Sequence, residues 1–337
     1  MMTLLRQHRW IFLVLVAVLV LPVTARAEQG ALSSESVDAV DRAIVLVNTY
    51  RENAGRTSRG SGSGIIIDPS GLILTAEHVA ARSTRLEVVL QNGEVYAATV
   101  VGSDPLFDSA LLRIQANRPL ASAFLGASTG LAPGDNVVAF GRAPRRQSGP
   151  PGGTFLAFDV DARPGVLNLR SSAVAWPGDS GGALVNNRGE VVGVIVAITR
   201  DGAISLSVSI DAIKHILDDL RAGFVRHPWL GLTGTTISDQ LAQDHGLTVR
   251  QGVLVFEVFE GGPAAQAGLR GGRATGAGNV PQGGDVIVAI DGRPMVTFGQ
   301  MAAYVLSKRV GDAIRLDMLR DGQPFNATVV LAERPSL

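Results

Sequence analysis

The chain has 337 residues, 46% hydrophobic and 18% charged, with 30 Lys+Arg against 30 Asp+Glu. At roughly 150 residues per domain that length suggests about two domains, and the composition excludes bulk disorder. Zero formal charge gives no sign of a nucleic-acid partner, and zero cysteines exclude disulfides, thiolate metal sites and a cysteine nucleophile.

Residues 1–27 have the pattern of a signal peptide. Arg6 and Arg9 precede an apolar run of 12 residues from Trp10 to Leu21, Pro22 breaks it, and Ala25-Arg26-Ala27 supplies a small-x-small cleavage site. The other reading is an uncleaved membrane anchor, but a spanning helix needs about 20 apolar residues. Without this segment and its three arginines, 27 basic groups face 30 acidic ones, net −3.

Residues 28–40 read as a polar lead-in. From Arg42 to about Val208, strand-length β-branched runs alternate with Gly, Pro, Asn and Asp: AIVLV (43–47), GIIID (64–68), LEVVL (86–90), ALLRI (110–114), NVVAF (136–140), VLNLR (166–170), EVVGVIVAI (190–198) and ISLSVSI (204–210). Many short strands between turn signals predict a barrel or sandwich. A helix is predicted over 211–220, with Ile213, Ile216, Leu217 and Leu220 on one face and Asp211 as its N-cap. Residues 223–228 read as a linker. Beyond it, LTGTTI, VLVFEVF, DVIVAI, AIRLDML and NATVVLA read as strands, and QLAQDH, PAAQAGL and FGQMAAYVLSK as short helices. Asp321-Gly322 is a hairpin turn signal, and the glycine-rich stretch 270–284 reads as a loop.

The most informative string is Trp176-Pro-Gly-Asp-Ser-Gly-Gly-Ala-Leu184. A serine hydroxyl that attacks a carbonyl needs a base beside it and N–H donors for the developing oxyanion. Glycines around Ser180 permit a sharp turn that aims the N–H groups of Gly178 and Ser180 at one point. Taken alone, the string could equally be a Gly-Asp-Ser turn.

Two further segments shift that balance. Leu74-Thr-Ala-Glu-His-Val79 puts His78 at a strand end as the candidate base, whereas His215, His227 and His245 read as solvated. Asp108 directly precedes an apolar strand, and a carboxylate entering a core is costly unless paired. Its natural partner is the His78 imidazole. Asp104, before Pro105, is the rival and reads better as a turn residue.

These segments stand in the order His78, Asp108, Ser180, and they resemble the HtrA (Deg) branch of the chymotrypsin-like proteases. GSGIIIDPSGLILTAEHV, VVGSDPLFDSALLRI and AWPGDSGGALVNNRGEVVGV carry the resemblance. Departures are Trp176 for a usual Asn, Ala183 for a usual Pro, and Ser171-Ser172 for a usual Thr-Asp. Residues 229–337 resemble the PDZ domain that follows such proteases, with Trp229-Leu230-Gly231-Leu232 as the carboxylate-binding turn and Met301 and Val305 as groove residues. Helical spacing alone also fits those two as plain core.

The resemblance implies a mostly β chain: a signal peptide (1–27), two antiparallel β-barrels in a trypsin-like protease domain (36–222), and a small α+β PDZ-like domain (228–333). It implies a periplasmic serine endopeptidase needing no metal or cofactor, acting on polypeptides, binding C-terminal peptides at the PDZ domain, and assembling as a homo-oligomer, a trimer by analogy. The substrate pocket is expected at Val174, six residues before the nucleophile, with Ile195 and Val196 as a wall. No acid stands there to pair with a buried Lys or Arg. The alternatives are an exported chaperone or sensor that cleaves little, and a PDZ-based peptide-binding adaptor. Arg142, Arg145 and Arg146 read as a solvated loop.

Overall fold

The structure is a computed structural model, and it describes residues 32–53, 55–143, 149–273 and 282–335. The predicted signal peptide, Arg145, Arg146 and the middle of the glycine-rich stretch lie outside the described residues. Among the described residues no helix is long and apolar enough to cross a membrane.

The lead-in contains a helix, α1 (Ser34–Ala43), capped by the Ser33 hydroxyl on the Ser36 N–H. The composition of 28–40 hid it, because the helix buries only Val40 and Ala43. The first barrel follows: β1 (Ile44–Asn53), β2 (Arg56–Asp68), β3 (Leu72–Thr75), the one-turn α2 (Glu77–Ala80), β4 (Arg85–Val89), β5 (Val95–Asp104) and β6 (Ser109–Ile114). The second comprises β7 (Asn136–Phe140), β8 (Gly152–Asp159), β9 (Asn168–Ser171), β10 (Ala183–Asn186), β11 (Val191–Ile198) and β12 (Ser205–Ser209). Both close with all pairs antiparallel, in the orders β1-β2-β3-β6-β5-β4 and β10-β11-β12-β9-β8-β7.

The apolar strings of the first barrel look continuous because both strand faces are buried. In β3, Ile73 fills the barrel while Leu72 and Leu74 enter the core between the barrels. In β6, Ala110, Leu112 and Ile114 point inward and Leu111 outward. Period-2 alternation thus separates two cores rather than core from solvent.

Helix α3 (Ile210–Ala222) lays Ile213, Ile216, Leu217 and Leu220 on the inter-barrel core. Its N-cap is Ser209, not Asp211, whose carboxylate instead accepts from Ser128 Oγ at 3.0 Å and the Thr129 N–H at 2.9 Å. Gly223 ends the helix at φ 99°.

The C-terminal domain runs β13 (Pro228–Trp229), β14 (Leu232–Thr236), α4 (Asp239–Asp244), β15 (Val253–Val258), α5 (Pro263–Gln266), β16 (Val286–Ile290), β17 (Arg293–Pro294), α6 (Phe298–Leu306), β18 (Ala313–Arg320), β19 (Gln323–Val330) and β20 (Ala332–Glu333). Its main sheet has the order β14-β15-β16-β18-β19, so β14 is an edge strand. The predicted Asp321-Gly322 turn joins β18 to β19, both residues having positive φ (51° and 76°) as a two-residue hairpin requires.

Two readings of single residues change. Arg142 is not solvated: its guanidinium bonds Asp41 at 2.7 Å and the Ile44 carbonyl at 3.1 Å, tying the second barrel to α1 and the start of β1. His227 is not solvated either. Its Nε2 lies 2.9 Å from Asp104 Oδ1, both side chains nearly buried, and its ring stacks on Phe107 at 5.4 Å. Asp104 also accepts the Leu106 and Phe107 N–H groups, so the predicted turn residue holds the interdomain linker as well. His215 Nε2 is 3.3 Å from the Lys308 carbonyl, and His245 is half-buried.

Candidate active site

His78 sits on α2, the turn that ends β3, while Asp108 precedes the neighbouring β6, and β3–β6 pairing brings them together. His78 Nδ1 is 2.8 Å from Asp108 Oδ2 and 3.0 Å from Oδ1, and the His78 backbone N–H donates to Oδ1 at 2.9 Å. Asp108 is buried at φ 48°, a left-handed conformation that Asp tolerates better than most residues. Burial pushes its carboxyl up. The hydrogen bonds from the His78 ring and backbone, with the nearby His78 and Arg163 charges, outweigh this and hold it below the usual carboxylate range. Burial and the Asp108 charge push neighbouring Glu77 up.

Ser180 lies on the turn before β10, in a cleft whose walls include His78, Val79 and the β1–β2 hairpin. Three contacts shape that turn. Asp179, fully buried, accepts the Trp176 N–H at 2.8 Å and the Ala143 N–H at 3.1 Å. From the first barrel, Ser63 donates its N–H to the Ser180 carbonyl at 2.7 Å and its hydroxyl to the Gly178 carbonyl at 2.7 Å. Gly181, at φ 85°, donates to the Ile195 carbonyl at 2.7 Å, and a Cβ there would run into Ser63 O and Thr75 Oγ1. The N–H groups of Gly178 and Ser180 have no hydrogen-bond partner among the described residues.

Sequence reasoning missed Ser63, Asp179 and Arg163. Arg163, between β8 and β9, bonds Asp108 Oδ2 at 3.2 Å, the oxygen that also faces His78 Nδ1. Of the expected pocket residues, Val174 and Val196 are half-buried, while Ile195 is buried in the second barrel's core. Among the described residues no group of three or more His, Asp or Glu could hold a metal.

A second concavity runs between β14 and α6. Trp229, Leu230, Leu232, Met301 and Val305 line it, and Arg163 closes one side. Met301 and Val305 are also part of the domain core. Gly231 turns at φ 79°, and the N–H groups of Leu230 and Gly231 have no hydrogen-bond partner among the described residues.

Comparison with known proteins agrees with this architecture. Residues 62–194 match the trypsin-like peptidase domain and residues 228–331 the PDZ domain. The serine protease HhoA of Synechocystis sp. is 33% identical over 295 residues, covering 82% of this chain and 72% of that protein. The chain belongs to the HtrA/Deg family of serine proteases. The periplasmic serine endoprotease DegP of Escherichia coli K12 is 31% identical over 81% of this HtrA-type chain, which spans 57% of DegP. Among solved structures, the HtrA-type protease AlgW with a tripeptide superposes at TM-score 0.74 and 28% identity, covering 90% of this chain and 97% of that one. A serine endoprotease from Yersinia pestis superposes at 0.66 and 27% identity, covering 89% and 97%.

Proposed function

We propose that this HtrA-type chain is an exported, periplasmic endopeptidase that cuts unfolded or damaged polypeptides. Ser180 attacks the peptide carbonyl, and His78 takes its proton and returns it to the leaving amine. Asp108 fixes the His78 tautomer, and the N–H groups of Gly178 and Ser180 receive the oxyanion. The observation that carries the reading is the bonded pair His78–Asp108 facing the same cleft as Ser180, beside two N–H groups with no partner among the described residues. An adaptor would need no such carboxylate buried against an imidazole. Casein cleavage by the full chain, with Ser180→Ala as control, tests the reading.

The acyl-side pocket is assigned to Val174, Ile195 and Val196, and it takes small or medium apolar side chains. None of the three can pair with a buried cation, so a Lys or Arg there would be uncompensated. Mass spectrometry of casein fragments is expected to find most cuts after apolar residues. A majority after Lys or Arg would refute the assignment.

The groove between β14 and α6 is assigned to apolar C-terminal peptides, which add as a strand on the β14 edge. Their carboxylate meets the turn Trp229 to Leu232. Arg163 supports a regulatory role, since it lines the groove while bonding Asp108. Affinity for one short peptide should be about micromolar, because ordering a flexible chain offsets much of the contact energy. Calorimetry is expected to show binding of the free acid and none of the C-terminal amide. Arg163→Ala is expected to keep binding but lose peptide-stimulated cleavage. Equal affinity for acid and amide removes the carboxylate site, and stimulation surviving Arg163→Ala removes Arg163 from the coupling.

A further inference from the structure

The cleft that holds Ser180 extends onto one face of the β1–β2 hairpin. In a hairpin, residues paired across the strands share a face and neighbours along a strand alternate. Thr49 pairs with Gly60 and Arg51 with Ser58, so these four residues share a face, and all four line the cleft with His78 and Ser180. Gly60 keeps its floor open, since a Cβ there would lie 2.8 Å from Thr49 Oγ1. Tyr50 and Arg59 are rooted on the opposite face, the Arg59 guanidinium 5.2 Å from the centre of the Tyr50 ring, yet Arg59 too reaches the lining of the cleft.

Arg59 is thus a second cation of the cleft lining, but Arg51 is the one rooted on the cleft face beside His78. Its guanidinium reaches the His78 carbonyl at 3.4 Å and has no carboxylate partner among the described residues. The wall near it offers hydroxyls from Thr49 and Ser58, and no Asp or Glu lines the cleft.

The side of the scissile bond follows from proton chemistry. On the triad reading above, His78 returns its proton to the departing amine, so that amine and the residues after it lie on the His78 side of Ser180. The hairpin face with Arg51 stands on that side, whereas the acyl-side pocket assigned above lies in the second barrel.

We propose that the cleft face of the β1–β2 hairpin is a leaving-group subsite for a substrate carboxylate, with Arg51 as its specificity-determining cation. The carboxylate comes from an Asp or Glu side chain in the first residues after the cut, or from a chain end placed there. In either form a guanidinium with hydroxyl neighbours recognises it by charge-assisted hydrogen bonds.

This inference rests on the protease reading, and the test separates the two. A casein cut site found by mass spectrometry supplies a parent peptide, synthesised with Glu, Gln or Lys at the second position after the cut. A further pair ends at that position as free acid or amide. With the full-length wild type, kcat/KM is expected to favour Glu over Gln by about fivefold, the range of an exposed ion pair, with Lys poorest. Arg51→Gln is expected to bring the Glu/Gln ratio to within about twofold, and Arg85→Gln, a cation over the Tyr50 ring that does not line the cleft, to keep it. High salt should compress the wild-type ratio. A preference for the free acid over the amide, without one for Glu over Gln, assigns the subsite to chain ends. Equal rates across both series, or a preference that survives Arg51→Gln, overturns the subsite while leaving the protease intact. Failure to cleave casein or any peptide overturns the protease reading itself.

Discussion

Ser180→Ala is expected to abolish casein hydrolysis, with turnover falling about a million-fold, while the thermal unfolding midpoint stays within a few degrees of wild type. Both halves follow from how the turn is held. Ser180 is anchored through its main chain, its carbonyl taken by the Ser63 N–H at 2.7 Å. Asp179 fixes the preceding residues through the Trp176 and Ala143 N–H groups. The hydroxyl has no part in these bonds, so its removal takes the nucleophile and leaves the Gly178 and Ser180 N–H groups where they were. Residual hydrolysis some thousand-fold above the uncatalysed rate would then come from those donors and from binding alone. A mutant within tenfold of wild type would end the serine-protease reading.

Asp108→Asn is expected to cost about ten-thousand-fold in kcat without loss of fold. Asn tolerates the left-handed backbone at φ 48° as Asp does. The His78 backbone N–H, 2.9 Å from Oδ1, selects the amide oxygen for that side. The amide NH2 then takes the Oδ2 position, where it faces His78 Nδ1 at 2.8 Å. A donor there demands a lone pair on Nδ1, so the ring proton moves to Nε2 and His78 can no longer accept from Ser180. Asp104→Asn is the discriminating control, because that carboxylate bonds His227 and not His78. It should loosen the linker contact and spare most activity. If Asp104→Asn is the damaging change and Asp108→Asn the mild one, the third member has been misassigned.

The Asp108 pair also fixes the direction of one pH effect. Its folded-state pKa lies below the ordinary value of about 3.9, so the pair stabilises the fold above that pH. The contribution fades as pH falls through the lower, folded value.

How far the site was legible depended on whether its signal was local. Ser180 stands in a glycine-rich turn, His78 ends an apolar strand and Asp108 precedes one; none of the three decides alone, and their occurrence together in that order carries the reading. The strands of the inter-barrel core were legible because burial on both faces leaves unbroken apolar runs such as Leu72–Leu74. Helix α1 was not, since only two of its ten residues are buried. Strand β5 likewise buries only two of its ten residues.

By itself the sequence, through its resemblance to the HtrA (Deg) proteases, determined the fold class, the order of the two domains and the three candidate active-site residues, and its turn chemistry the β18–β19 turn, all written in runs of twenty residues or fewer. Only the tertiary structure decided which distant groups meet. Ser63 reaches Gly178 across 115 positions, Arg163 reaches Asp108 across 55, and His227 reaches Asp104 across 123. A lone Ser, Arg or His in a polar stretch has the same local signature whether solvated or bonded. Its role is set by barrel closure and domain packing, which bring together residues that no local pattern connects.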